Sequence, residues 1–326
     1  MTDGVTGRLS VMYPSQPDAI GPAVEFARFS RETGFSRLWF GQSLQLESHL
    51  VMAAITAHVP GLPMGTSIAL APLRHPYQAA VEARSISALS GAGYVAGYGP
   101  GSVEFQKSFL GEPFERPLKT MGDYLDVVRG LLDGEIVEHE GEHHTLKARL
   151  PRVASPLTEV GLGVLRPGMA RTAGRSADVA ITWLTPPHYV SQQLRPAMEA
   201  GAAERGRKTP RVATVVHAAV TRPGRNPARA AHTAVGAHLS TDHYTDMLRR
   251  AEVMVDPKHP VKGAETLVES QVFVTGTADE IAAALHRFHH DGVDEVVLNL
   301  SGVHFTEGEA AARRDLLDIA RAGGLK

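Results

Sequence analysis

The chain has 326 residues, 43% of them hydrophobic and 21% charged, with 33 basic against 35 acidic side chains and a net charge of −2. That balance suits a chain with a large core and leaves no broad basic field, so neither nucleic acid nor an anionic membrane surface is an expected partner. Cysteine is absent, which excludes disulfides, thiolate zinc sites, cysteine-held iron–sulfur clusters and cysteine nucleophiles, and fits the expected cytoplasmic location.

Met1 to Arg8 is polar, without the basic flank and apolar core of a signal peptide. No apolar run approaches the roughly 18 residues that cross a bilayer. Leu9, Val11 and Tyr13 alternate as a strand. Ile20, Ala23, Val24 and Ala27 then form one helical face closed by Gly34, and Arg37 to Phe40 is a second strand. Glu47 to His58 reads as a helix and Met64 to Leu70 as a strand. A further helix starts at Pro76 and ends at Gly91, before a strand from Gly93 to Gly97 and a helix from Leu118 to Leu132. In the second half, strands are predicted at 160–165, 178–182, 211–220 and 294–300, with helices at 167–176, 187–205 and 307–322. Thr277 to Glu280 is a capping box that opens another helix, running to His290. Near-continuous apolar strands separated by amphipathic helices indicate a parallel sheet buried on both faces.

About eight strands and a recurring glycine–apolar–strand phrase (Gly34-Phe35, Gly292-Val293) predict one α/β domain over 1–326, a (β/α)8 TIM barrel. An open doubly wound sheet competes, but no dinucleotide fingerprint begins the chain. Two stretches interrupt the pattern: a polar hairpin at 135–146, and a longer insertion at 221–275 expected to cover the C-terminal mouth as a lid. Pro257 and Pro260 mark part of that insertion as loop.

Barrel chemistry gathers at the C-terminal strand ends, which here carry Tyr13, Gln42, Ser43, Arg74, His75, Tyr98, Ser102, Arg166, Trp183, His217 and His304. The set lacks a carboxylate pair for glycoside hydrolysis and a Gly-x-Ser-x-Gly elbow. So few strong bases point to a borrowed cofactor. Gly97 to Ser102 is either a tight turn or a loop that lets a flat ligand or phosphate reach the backbone. At Arg166-Pro167-Gly168-Met169 a helix begins as a strand ends, either a plain cap or a phosphate site. The histidine groups His286/His289/His290 and His139/His143/His144 lack a metal-ligand pattern and read as solvated surface, so no metal is expected. His75 is a helix cap or a catalytic group.

Taken in order, Gly34 to Phe40, Gly65 to Ile68, Arg74-His75-Pro76, Leu89-Ser90-Gly91 with Gly97 to Gly101, Arg166 to Met169, Thr182 to Thr185, Gly276 to Glu280 and Gly292 to Glu295 resemble the luciferase-like flavin and deazaflavin oxidoreductases, within them the coenzyme F420-dependent group. The resemblance implies a ring lying across the barrel mouth. Ser67, Ile68 and Ala69 back it, with the Ser67–Ile68 peptide cis, and Gly97, Gly99, Pro100 and Gly101 line the other side. The phosphate rests on Val164, Leu165, Arg166, Pro167, Gly168 and Met169, and Arg171, Arg175 or Arg74 meet the glutamate tail. Gln42-Ser43 stands where many members carry Asp-His, and Pro100 where bacterial luciferase has a phosphate-binding arginine. The implied reaction is hydride transfer between deazaflavin C5 and an activated C=C, C=N or carbonyl group, as in a reductase of specialised metabolism. The substrate is a small molecule or a modified peptide. His217, Tyr98, Tyr13 and Ser43 are the expected proton-handling or catalytic groups. The alternatives are an FMN-dependent monooxygenase and a non-catalytic ligand-binding barrel. A homodimer is expected, joined around Leu46 to Met52.

Overall fold

The computed structural model describes residues 7–325, so most of the N-terminal stretch from Met1 lies outside it. The barrel strands are β1 (Arg8–Met12), β2 (Leu38–Phe40), β3 (Met64–Thr66) continued by the short β4 (Ala69–Leu70), β5 (Tyr94–Gly99), β8 (Thr158–Gly163), β9 (Val179–Trp183), β10 (Arg211–Val220) and β12 (Glu295–Asn299). All pair in parallel in the order β1–β2–β3–β5–β8–β9–β10–β12, and β12 returns to β1 through Arg8↔Glu295 to Val11↔Leu298. That last pairing closes the sheet and excludes the open alternative. β3 and β4 were expected as one strand; the Ser67–Ile68 peptide between them is cis, as the resemblance implies.

Helices alternate with the strands as the apolar periodicity predicts. They are α1 (Ile20–Thr33), α2 (Ser48–His58), α3 (Pro76–Ser90), α5 (Pro117–Leu132) and α6 (Pro167–Ser176). A continuous helical path follows: α7 (Pro187–Tyr189), a π turn, and α8 (Arg195–Glu204). Later come α12 (Ala278–His290), α13 (Ser301–Glu307) and α14 (Glu309–Ala322). The capping box is present in full: Thr277 Oγ1 accepts from the Glu280 amide, and Glu280 Oε2 accepts from the Thr277 amide. The closing helix α14 begins just after Gly308 (φ 90°), two residues later than the predicted Glu307, and the short α13 before it was not predicted.

A helix α4 (Val103–Leu110) that no amphipathic stripe announces follows Ser102, whose Oγ caps it. The hairpin is β6 (Val137–Glu140) paired with β7 (Thr145–Ala148), reaching two residues beyond its predicted end. The long insertion folds into α9 (Pro227–Leu239), α10 (Asp242–Arg250), α11 (Pro260–Glu269) and β11 (Phe273–Gly276). Pro260 opens α11 where loop was expected, since a proline at the first helical position loses no hydrogen bond. α9 packs on α11 and α13. β11 adds to the upper half of β10, from His217↔Phe273 to Val220↔Gly276.

With the strand period of two, Met12, Trp39, Val95, Val179, Ile181, Ala213, Val215 and Val297 point inward and fill the barrel. At its N-terminal end the fill is ionic. Fully buried Glu295 accepts from Ser10 Oγ (2.7 Å), Trp39 Nε1 (2.8 Å) and Arg211 Nη1 (2.7 Å), while Arg211 also grips Glu159 with two 2.8 Å bonds. Burial alone would raise the Glu159 carboxyl; the Arg211 hydrogen bonds outweigh it and hold that carboxyl below its ordinary range. The plug closes the lower end of the barrel, so the opposite end is the one available to ligands.

Candidate active site at the barrel mouth

At the C-terminal end the inward layer is Ile68, Gly163 and Trp183, all half-buried, with Ile68 and Trp183 resting on the apolar fill. Leu184, directly after Trp183, takes the left-handed conformation (φ 55°), a backbone state uncommon outside glycine and frequent at ligand sites. The Gly97 and Gly99 positions are filled by neighbours from β3, its link to β4, and β9. A Cβ on Gly97 would lie 2.1 Å from the Thr66 carbonyl oxygen and 2.3 Å from Ile181 Cδ1; one on Gly99 would lie 2.1 Å from Ile68 Cδ1. These glycines therefore make room for the side chains that floor the mouth, a packing reason for residues read as a ligand-facing loop. Beyond them Pro100 is half-buried, and Gly101 (φ 72°) turns the chain against Leu70 and Phe105.

Two residues up β10 from inward-facing Val215, His217 faces the same interior and is 1% exposed, with no partner for either ring nitrogen. Its ring meets Trp183 edge-on (5.1 Å) and stacks at 6.4 Å on Phe273. From the insertion, His238 stacks on Trp183 (5.4 Å) and Tyr244 meets His238 (4.8 Å). Trp183 Nε1, His238 Nδ1 and the Tyr189 hydroxyl also lack partners. Burial pushes the His217 imidazole down to about 3 and His238 to about 4, so both rings are neutral at physiological pH. His238, Tyr189 and Tyr244 did not stand out in the sequence; they lie on helices whose apolar periodicity explained them already.

The Val164–Met169 segment runs from the end of β8 into α6. Buried Val164 donates its amide to the Ile181 carbonyl at 2.7 Å, Leu165 and Met169 are half-buried, and Arg166 and Gly168 are exposed. Pro167 opens α6, and no side chain caps the helix, which leaves its first amides directed outward. Arg166 reaches Asp246 of α10 at 3.3 Å, so the insertion is tied to this helix start.

Other predicted residues lie elsewhere. Tyr98 alternates with the inward glycines and points out of the barrel; its hydroxyl donates to the Ala79 carbonyl (3.1 Å) and its ring meets Tyr124. Tyr13 likewise points outward, stacked on Phe40 and edge-on to Phe26. Ser43 is buried and its Oγ accepts from the Gln45 amide, a turn contact. Of the four expected proton-handling groups, only His217 faces the mouth interior. Ser67 is buried with its amide on the Phe40 carbonyl, and Ala69 is buried beside Tyr98.

Arg74 does not meet solvent at the rim. Its side chain is buried among Gln42, Leu70, Glu47 and Glu82, held there by hydrogen bonds and ion pairs. Arg171 and Arg175 both pair with Glu204. His75 accepts from the Tyr77 amide and so is a helix cap. Solvated surface describes His286 and His290, but His289 is half-buried and bonded to the Val293 carbonyl. The hairpin histidines are half-buried as well. His143 lies on Phe114, and His144 sits between His75 and Tyr124, where burial pushes it down to about 4. No group of His, Asp and Glu among the described residues is arranged to hold a metal ion, and no described helix is long and apolar enough to cross a membrane.

Fold and site together define a closed (β/α)8 barrel with an apolar, aromatic mouth beside an uncapped helix start. Within that class, the family described as luciferase-like monooxygenases matches residues 5–295, and the chain belongs to it. It is 28% identical over 239 residues to 4-hydroxyprotoasukamycin monooxygenase of Streptomyces nodosus subsp. asukaensis, covering 66% of this chain and 64% of that one. It is 22% identical over 293 residues to 5,10-methylenetetrahydromethanopterin reductase of Archaeoglobus fulgidus, covering 83% of this chain and 87% of that one. The chain thus spans somewhat under two thirds of the Streptomyces relative's length. A solved F420-dependent secondary alcohol dehydrogenase, in complex with an F420-acetone adduct, shares the fold at a TM-score of 0.73 and 18% identity, covering 97% of this chain and 99% of that chain.

Proposed function

We propose that this chain is an oxidoreductase that binds coenzyme F420 across Ile68, Gly163 and Trp183 and moves a hydride between that cofactor and an activated C=C, C=N or carbonyl group. One observation carries the reading: the Trp183 indole N–H and both His217 ring nitrogens are buried without partners over an apolar floor, beside an uncapped helix start next to Arg166. A buried polar group without a partner costs about 1–3 kcal/mol, so the site is suited to a flat ligand that brings hydrogen-bonding atoms. The first amides of α6 and Arg166 suit a phosphodiester. When bound, the reduced deazaflavin supplies the hydride. Trp183 and neutral His217 then orient the reacting partners, and α9 and α10 keep water from the mouth. Because His217 stays neutral, it acts as a hydrogen-bond partner and not as an imidazolium acid. The F420-dependent dehydrogenase of the same fold supports this cofactor class.

A second reading, a flavin mononucleotide monooxygenase, is favoured by the 28% identity to the Streptomyces monooxygenase; the Pro100 position, which offers no cationic partner to a monoester, weighs against it. Paired fluorescence titrations with F420 and flavin mononucleotide in one buffer decide between them. The expected result is tighter F420 binding, weakened on the order of tenfold by Arg166→Ala. Tighter flavin binding, or oxygen-dependent turnover with reduced flavin, overturns the proposal. Binding of neither leaves a non-catalytic barrel.

A further inference from the structure

A cavity of about 480 Å³ lies on the outer flank of the rim, away from the barrel interior. It is enclosed by the segment after β1, the start of α1, Gln45 and the α13–α14 junction. Tyr13 lines it, and Tyr13 is the outward neighbour of inward-facing Met12, so the cavity and the mouth occupy opposite sides of β1. Its volume falls in the range of small-molecule sites, about 300–1,000 Å³.

Its lining chemistry is selective. Three aromatic rings, Tyr13, Phe26 and Phe305, form apolar walls, and Phe305 is 56% exposed at the edge. The only formally charged side chains that line it are carboxylates, Asp18 and Glu309; no lysine or arginine does. Glu309 is paired with Arg313 one helical turn on, whereas Asp18 has no ion-pair partner among the described residues. His304 brings a buried Nδ1 that lacks a partner. Burial lowers its pKa, so the ring adds no positive charge at neutral pH. Burial raises the Tyr13 phenol, which stays protonated and neutral.

We infer that this flank cavity is a binding site for an organic cation, a primary or substituted ammonium carried on an aromatic or apolar body. The ammonium faces Asp18 and the rings of Tyr13 and Phe305, which attract a cation electrostatically; Phe26, whose ring already carries the Arg313 guanidinium at 5.7 Å, packs only against the apolar body. The carboxylates repel an anion of the same shape, so selection works by exclusion as well as attraction. The site is distinct from the proposed redox centre and needs no cofactor to be tested.

The test uses the full chain without added cofactor and three probes of nearly equal shape: 2-phenylethylammonium, 2-phenylethanol and phenylacetate, followed by saturation-transfer NMR and calorimetry at pH 7. Expected is binding of the ammonium probe on the order of tenfold tighter than the acid. Asp18→Asn should remove that preference and leave phenylethanol unchanged, and Phe305→Ala should weaken both ammonium and alcohol. Asp18 and Phe305 are exposed, so both variants retain the fold. Equal binding of phenylacetate, no binding of any probe, or an unaltered preference in Asp18→Asn overturns the assignment.

Discussion

Glu295 shows how much one side chain can organise: fully buried, it takes hydrogen bonds from Ser10, Trp39 and Arg211 and lies 3.5 Å from Arg37 Nε. Removing it leaves Arg37 and Arg211 to share Glu159 as their one remaining counter-charge at the barrel end. Glu295→Ala should lose about 3–5 kcal/mol, read from the midpoint of urea unfolding at constant slope. Two other side chains make stability depend on acid. Burial would raise Glu47, but the His49 hydrogen bond and charge, with Arg74, bring its carboxyl from 4.5 to about 2. Its contribution is therefore complete above about pH 4.5 and is lost as pH falls towards 2. His217 is depressed by burial from 6.5 to about 3, so the unfolded chain takes up that proton first and stability also declines as pH drops below 6.5. Expected are an acid-unfolding curve made shallower by Glu47→Gln, and a His217 imidazole whose NMR shifts stay those of the neutral ring from pH 8 to 5. The sequence set His217 and Tyr98 side by side at the mouth, and in the structure His217 faces the barrel interior while Tyr98 does not. Residue parity separates them, since Val95, Gly97 and Gly99 share the inward face and Tyr98 cannot; that test needs the inward face to be known, which a lone strand does not reveal.

Elements with a clear period and chemical punctuation were legible. Helices ending at glycine, the capping box at Thr277 and the long strand 211–220 all appear where the pattern puts them. Those that escaped lack the signal physically. Within α4 only Gln106 is buried, while Val103, Phe109 and Leu110 are exposed, so no apolar stripe exists to be read. Pro260 hid α11, and α13, at seven residues, is too short to show a helical period. The tight fit between β5 and Ile181 of β9 is equally invisible locally, because Ile181 lies 84 residues from Gly97. Gly97→Ala places a methyl against the Thr66 carbonyl and Ile181. The expected loss is about 1–3 kcal/mol or more, and Ile181→Val in the same chain should recover part of it, a coupling that a double-mutant cycle measures.

Across the whole molecule, closure of the barrel leaves free strand edges among the described residues chiefly at β11 and in the β6–β7 hairpin, so the expected association surface is a side-chain patch. Leu44 on the β2–α2 connection and Leu50 in the first turn of α2 are about seven-tenths exposed, with Leu46 between them in sequence at 36%. A homodimer using this patch should sediment as a dimer at micromolar concentration, and Leu44→Asp with Leu50→Asp should yield a folded monomer. A folded wild-type monomer at that concentration would remove the expectation.

β10 is longer than its neighbours. Along the edge opposite β12 it runs beside β9 as far as Val215↔Trp183 and beside β11 from His217↔Phe273 onward. The insertion therefore grows out of the wall as a two-ply ribbon instead of hanging from two slack tethers. Its base has the bending stiffness of paired strands, while α10 is held to the α6 start by an exposed ion pair of a kind worth at most about 1 kcal/mol. Mechanically this is a cantilever with a rigid root, and its outer helix α10 is seated by buried Thr245, Met247 and Leu248 as well as by that ion pair. A ligand entering the mouth would leave the paired amides of Ala218 to Val220 in place, so their hydrogen exchange should stay slow with and without ligand.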